Sequence, residues 1–271
     1  MIDSHTHTQY SKHATGSVAE LVESAISKGI KVLTITDHAP FYVDSDNRLL
    51  ESEMEDYFAE VANAQKLYSK DISILSGLEL DYMPGCEKYT EEIIKCYSPD
   101  FVIGSLHYIP IKSDFVKVWD LNELNAPDVI DSYFNCHTEM VASGLFDSIG
   151  HPDSISRRIP DETIRLHWDK LLKAFSENVV AWELNASGFR KSAYNELTKR
   201  YDKQNHGFPA LYPLSKLSEH GIPVTIGSDA HKPEDVGRGL TQTIELMKRY
   251  ELNMVSYFKK RRAHKVAVES L

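Results

Sequence analysis

Seven short apolar runs, separated by segments of helical periodicity, narrow the folds open to this chain. They are Met1–His5, Lys31–Asp37, Ile72–Leu80, Phe101–His107, Asp147–His151, Val179–Asn185 and Pro223–Ser228. Most are near-continuous in apolar residues, the pattern of parallel strands covered on both faces. Between the first two, Ser17 and Glu20 form a capping box ahead of Val18, Leu21, Val22, Ala25 and Ile26, which recur at helical spacing. Gly29 stands where a helix C-cap glycine belongs. The ranges Glu51–Ser69, Thr90–Tyr97, Ala126–Ser143, Asp161–Glu177, Leu211–His220 and Pro233–Tyr250 also read as helices. Strands alternating with helices imply parallel pairing through right-handed crossovers. No linker, repeat or low-complexity tract divides the chain, so residues 1–271 are expected to form a single α/β domain.

A closed barrel and an open doubly wound sheet share this alternation, and the polar residues separate them. His5, His7, His38, Glu79, His107, His151, Asp229 and His231 all fall at or just after the C-terminal end of an expected strand. In a barrel those ends converge on one mouth. An open sheet would spread them along an edge and needs a glycine-rich switch-point loop, which is absent here. A closed or nearly closed barrel of about seven strands is therefore expected, with its site at the C-terminal ends of the strands.

Composition removes several functional classes. The net charge of −10 argues against a sequence-independent grip on nucleic acid. No apolar run has the roughly 18 residues that a membrane span needs. The N-terminus lacks the basic and apolar regions of a secretory signal. Three widely spaced cysteines, Cys86, Cys96 and Cys136, fit reduced thiols, and a cytoplasmic location is expected. Nothing in the sequence sets the oligomeric state.

The chemistry lies in the histidines. His5-Thr-His7 aims two imidazoles to the same side of an extended segment. Asp37-His38 follows VLTIT, Glu79 lies in SGLELD, His107 ends VIGSLH, His151 stands in SIGHPD, and Asp229 and His231 stand in TIGSDAH. His13 joins them from the first loop. Seven imidazoles and two carboxylates are too many ligands for one ion, so two or three divalent metals are implied. Such ions acidify a shared water to a hydroxide nucleophile near neutral pH. No Cx5R, GxSxG, P-loop or HExxH supplies another route.

These motifs, in this order, resemble the polymerase and histidinol phosphatase (PHP) superfamily across essentially the whole chain. The resemblance implies a distorted seven-stranded (β/α)7 TIM-like barrel with a trinuclear centre. It implies that His5, His7, Glu79 and Asp229 hold one metal and that Glu79 bridges to a second held by His107 and His151. His13, His38 and His231 would hold the third. Three divalent ions are expected, with zinc first and iron or manganese as alternatives. ITDHAPF, GHPDSIS and ELNASGFRK are similar to the histidinol-phosphate phosphatase branch. The implied activity is hydrolysis of L-histidinol phosphate to L-histidinol and phosphate, a step of histidine biosynthesis, by a metal-bridging hydroxide. The alternatives are a phosphodiesterase or exonuclease, a phosphatase of another small metabolite, or a non-enzymatic metal-binding module.

Glu79 and Asp229 are the catalytic candidates, with Asp37 as an acceptor that orients a ligating imidazole. Arg157 and Arg190, in loops after the fifth and sixth strands, are candidate phosphate clamps, with Arg158 in reserve. Glu183 or Asp153 is the candidate partner of the substrate's ammonium group. His137 reads as a core histidine, and the basic run Lys259–Arg262 with Lys265 as a solvated helix face.

Overall fold

The computed structural model describes the chain except residues 112–113, 119–126, 158, 160, 196–199 and 207; for 192–206 it describes the backbone only. Seven strands pair in parallel in chain order: β1 (Ile2–Asp3), β2 (Val32–Ile35), β3 (Ser73–Asp81), β4 (Phe101–Ser105), β5 (Ser148–Ile149), β6 (Ala181–Asn185) and β7 (Val224–Gly227). Each falls inside an expected run except that β3 extends one residue past it, to Asp81. The seam between first and last strands is bridged at the C-terminal end, where Ser4 N–H donates to Ile226 O (3.0 Å), Asp229 N–H to His5 O (2.7 Å) and His7 N–H to Ala230 O (2.8 Å). The Asp3 carboxylate reinforces the seam by accepting from Ser228 N and Gly237 N, each at 2.8 Å. The result is a nearly closed (β/α)7 barrel.

The surrounding helices are α1 (Val18–Ser27), α2 (Met54–Leu67), α3 (Glu87–Tyr97), α4 (Pro127–Ala142), α5 (Arg165–Glu177), the single turn α6 (Leu211–Leu214) and α7 (Leu240–Arg249). The Ser17–Glu20 capping box forms in full. Past α1, Gly29 N–H reaches Ile26 O and Ile30 N–H reaches Ala25 O, each at 3.0 Å, which is a Schellman closure with Gly29 at φ +72°. Two expected helices are much shorter than read, and α5 starts at Arg165, after a 3-10 turn over Asp161–Ile164. The 211–220 segment keeps one turn, after which Lys216 and Leu217 bond back only three residues. The 233–250 segment is interrupted by Gly237 and Gly239, at φ +74° and +91°, so α7 starts only at Leu240.

Three antiparallel hairpins escaped the sequence reading: Tyr108–Ile111 with Asp114–Lys117, Ser192–Asn195 with Arg200–His206, and Met254–Lys259 with Arg262–Ala267. The third corrects the helix face expected for Lys259–Arg262. Lys260 and Arg261 form its tight turn, both at positive φ, without the Asn-Gly signal that usually marks such turns. The turn is anchored from outside: Lys260 N–H and Arg261 N–H donate to Asp100, and Arg261 Nε donates to Asp147 Oδ1 at 2.7 Å. This places Phe258 against Phe101, with Ile103 and Ala181 beside them, in a small apolar cluster. Phe101 and Ile103 share the face of β4 that carries Ser105, whose hydroxyl bonds Glu79. The interior of the barrel thus grades from an apolar floor to a polar mouth. Among the described residues, no helix is long and apolar enough to cross a membrane.

Candidate metal centre

The barrel gathers all nine expected ligands at the mouth. Glu79 is the hub and is almost wholly buried. Its Oε2 lies 3.3 Å from His5 Nε2, 3.3 Å from His7 Nε2 and 3.0 Å from His38 Nδ1. Its Oε1 lies 3.2 Å from His151 Nε2 and 3.5 Å from His107 Nε2. Asp229 Oδ1 is 3.4 Å from both His7 Nε2 and His231 Nδ1, and His231 Nε2 is 2.9 Å from His13 Nε2. Overlapping donor sets include His5, His7 and Asp229; His38, Glu79 and His107; and His7, His38 and His231.

Hydrogen bonding decides what these donors can do. His5 Nδ1 meets Glu183 Oε1 at 2.6 Å, and His107 Nδ1 meets Asp81 Oδ1 at 2.7 Å. His13 Nδ1 faces Asn47 O at 3.0 Å, and His231 Nδ1 faces Asp229 O at 3.1 Å. His7 Nδ1 meets Ser11 Oγ at 3.2 Å, and Ser11 gives its own proton to Asp37 Oδ1 at 2.6 Å, so it must accept from His7. Five imidazoles are thereby held with Nδ1 protonated and the Nε2 lone pair turned to the cluster, as metal-binding histidines are. Glu79 Oε2 and His38 Nδ1, both buried, face each other without a hydrogen bond. Ligands about 2.0–2.1 Å from a tetrahedral ion stand roughly 3.3 Å apart, the spacing seen around Glu79 Oε2. The residues fit divalent metal ions.

The electrostatics agree. Burial opposes ionisation of Glu79 and Asp229, yet His38, His5 and His107 around Glu79 hold its carboxyl well below the usual range, and Lys191 and His5 do so for Asp229. Burial pushes His38 down to about 4 and, with His231 and His38 nearby, His7 well below its ordinary value, which favours neutral ligands. Burial would also lower His5, but Glu183, Glu79 and Asp229 outweigh it, a negative surround that favours a cation. Ser105 Oγ donates to Glu79 Oε1 (2.5 Å) and Ser187 Oγ to Asp229 Oδ2 (2.8 Å), fixing both carboxylates.

Other expectations are corrected. Asp37 touches no imidazole directly; it accepts from Thr8 and Ser11 and reaches His7 through Ser11, so it is a positioning residue. Glu183 does not face the mouth: Oε1 takes His5, and Oε2 takes His151 N–H (2.8 Å) and Asn185 Nδ2 (3.0 Å). Asp153 is likewise buried, accepts from Ala210 N–H, and is pushed up by burial to about 7. Arg190 spends its guanidinium on the carbonyls of Arg238, Ser228 and Asp229, bracing the Asp229 loop. Arg157 is half-buried on the short turn after His151, near enough to Lys191 to depress that amine alongside burial. Arg158 lies outside the described residues. His137 is a buried core residue, as expected. The mouth opens into a pocket of about 330 Å³ whose wall includes Lys191, Lys117, Arg48, Asp44 and Tyr108. None of these five was read as functional; Lys191 stands in the ELNASGFRK segment beside Arg190, and Lys117 lies in no motif and reaches the pocket from the first hairpin.

Donors this crowded and this oriented, at the strand ends of a parallel barrel, define a metal-dependent enzyme. Residues 3–187 match the PHP domain and residues 215–263 the PHP-associated family, so the chain belongs to the PHP family. A protein of Deinococcus radiodurans described as a probable histidinol-phosphatase is 31% identical over 246 residues, 88% of each chain. The histidinol-phosphatase of Bacillus subtilis is 26% identical over 87% of this chain and 95% of its own. The fold also matches a histidinol phosphate phosphatase of Lactococcus lactis, solved with zinc, L-histidinol and phosphate. The TM-score is 0.79 at 21% identity, covering 97% of this chain and 98% of that one. By these relatives the chain is a phosphatase.

Proposed function

We propose that this enzyme hydrolyses L-histidinol phosphate to L-histidinol and phosphate with three divalent ions, zinc foremost. The observation that carries the metal reading is Glu79 Oε2, buried among three imidazole nitrogens within 3.3 Å and without a hydrogen bond. The substrate reading rests on the named activity of the Deinococcus and Bacillus relatives. In this reading His5, His7, Glu79 and Asp229 would hold one ion, Glu79 with His107 and His151 a second, and His13, His38 and His231 the third.

Bound divalent ions supply positive charge to the phosphoryl oxygens and acidify a water for attack. The chain's own residues do the rest. Glu183, Asp81, Ser11 and two carbonyls keep five imidazoles in the ligating tautomer. Lys191, 3.5 Å from Asp229 Oδ2, and Lys117, 3.1 Å from Asp44 Oδ2, stand on the pocket wall as the candidate cationic contacts of a phosphate dianion, with Arg157 after His151 as a further candidate. A pocket of about 330 Å³ suits a small monoester. The test is phosphate release from L-histidinol phosphate beside hydrolysis of a dinucleotide. Turnover of the monoester alone is expected; preferential cleavage of the dinucleotide would replace this reading with a phosphodiesterase.

A further inference from the structure

Arg48 belongs to no motif, yet it is 3% exposed at the edge of the metal cluster. It sits in the loop between His38 and Leu49, which Leu49 N–H closes onto His38 O at 3.0 Å. Arg48 Nη1 pairs with Asp81 Oδ2, its Nε donates to Asp44 O at 3.1 Å, and its guanidinium lies over the Phe41 ring. Asp81 is equally buried, and its other oxygen, Oδ1, takes His107 Nδ1 at 2.7 Å. A buried ion pair is a poor source of stability compared with apolar packing, so its placement against a ligand calls for another reason.

We infer that Arg48 is a positioning residue of the metal centre: through Asp81 it fixes the His107 ring so that Nε2 points at Glu79. Without Arg48, one Asp81 oxygen loses its strong donor and the carboxylate is free to turn away from Nδ1. The same loop supplies Asn47 O to His13 Nδ1, so one short segment orients two ligands without contributing one between Ala39 and Leu49. The inference rests on the metal-centre reading, and the experiment separates the two.

Metal content and affinity are measured by elemental analysis and chelator competition on the wild-type protein and on Arg48→Met, with histidinol phosphate kinetics at increasing zinc. Arg48→Met is expected to lose affinity for one ion by about ten- to a hundredfold, to keep the others, and to recover turnover when zinc is raised. Arg48 also lines the pocket, so a raised KM with unchanged metal affinity would make it a substrate contact and overturn the inference. If Arg48→Met does not fold, Arg48→Lys carries the test. It keeps the charge without the fork, so a smaller loss at the same ion supports the inference and wild-type affinity overturns it. A wild-type protein that binds no divalent metal would sink the underlying reading instead.

Discussion

An imidazole offers a lone pair at one nitrogen only when the other keeps its proton, so whatever holds Nδ1 decides what Nε2 can bind. Glu183 does this for His5 and also fastens the His151 backbone, joining ligands that follow β1 and β5. Replacing it with alanine should weaken metal binding about ten- to a hundredfold, read by chelator competition; unchanged affinity would leave Glu183 a merely structural acid. Glu79→Gln should lose metal and turnover together, and full metal content with near-normal turnover would refute its role as hub. Gly227 shows how tight the site is: an added Cβ would stand 2.3 Å from His5 Cβ and 2.7 Å from Glu183 Oε1. Gly227→Ala should therefore lower metal content and activity, measured against a wild-type control. The ligands were legible because metal chemistry selects residue type and strand-end position. Their Nδ1 partners were not, because partnership depends on which residues face inward across the barrel. Two signals were nonetheless present: Asp81 lies two residues past Glu79 on the same face of β3, and Glu183 is a lone acid in a buried apolar run.

Elements were read best where one periodicity ruled. The α1 cap, its apolar face and its glycine closure all agree with each other, and the helix forms as expected. The C-terminal hairpin was missed because its Lys260–Arg261 turn lacks the usual residues and is held from elsewhere, by Asp100 and Asp147. Within α4, His137 gives an element-level prediction. Burial first, with His151 adding to it, holds this imidazole down to about 3, against an ordinary value of 6.5. The folded protein therefore binds fewer protons here than the unfolded chain between those values. Stability from this site is complete above about pH 6.5 and is lost as the pH falls toward 3, by about 3 kcal/mol at about pH 4.5. In metal-stripped protein, His137→Leu should lose less stability than wild type between neutrality and that pH in urea unfolding. Equal losses would remove His137 from the acid response.

At the scale of the molecule, the barrel separates support from chemistry. Its lower interior is apolar, closed by Phe258 from the C-terminal hairpin, while Asp3 and the 4–7 segment seal the seam beside the ligands. That arrangement gathers nine donor side chains, each within 3.5 Å of another, although they come from positions 5 to 231 of the chain. The choice of a barrel over an open sheet was legible because polar residues at six strand ends need a common mouth. The arginine clamp was not: Arg190 turned to the backbone, and the pocket received Lys191 and Lys117 instead. The central claim is that this cluster is a metal centre that hydrolyses a small phosphate monoester. The most direct test is to strip the protein of metal and titrate zinc back while following phosphate release from L-histidinol phosphate. The account predicts no turnover in the stripped protein and a rise to a plateau as the cluster fills, near three ions per chain. Turnover that persists in metal-free protein, or zinc that binds without restoring it, would contradict the account.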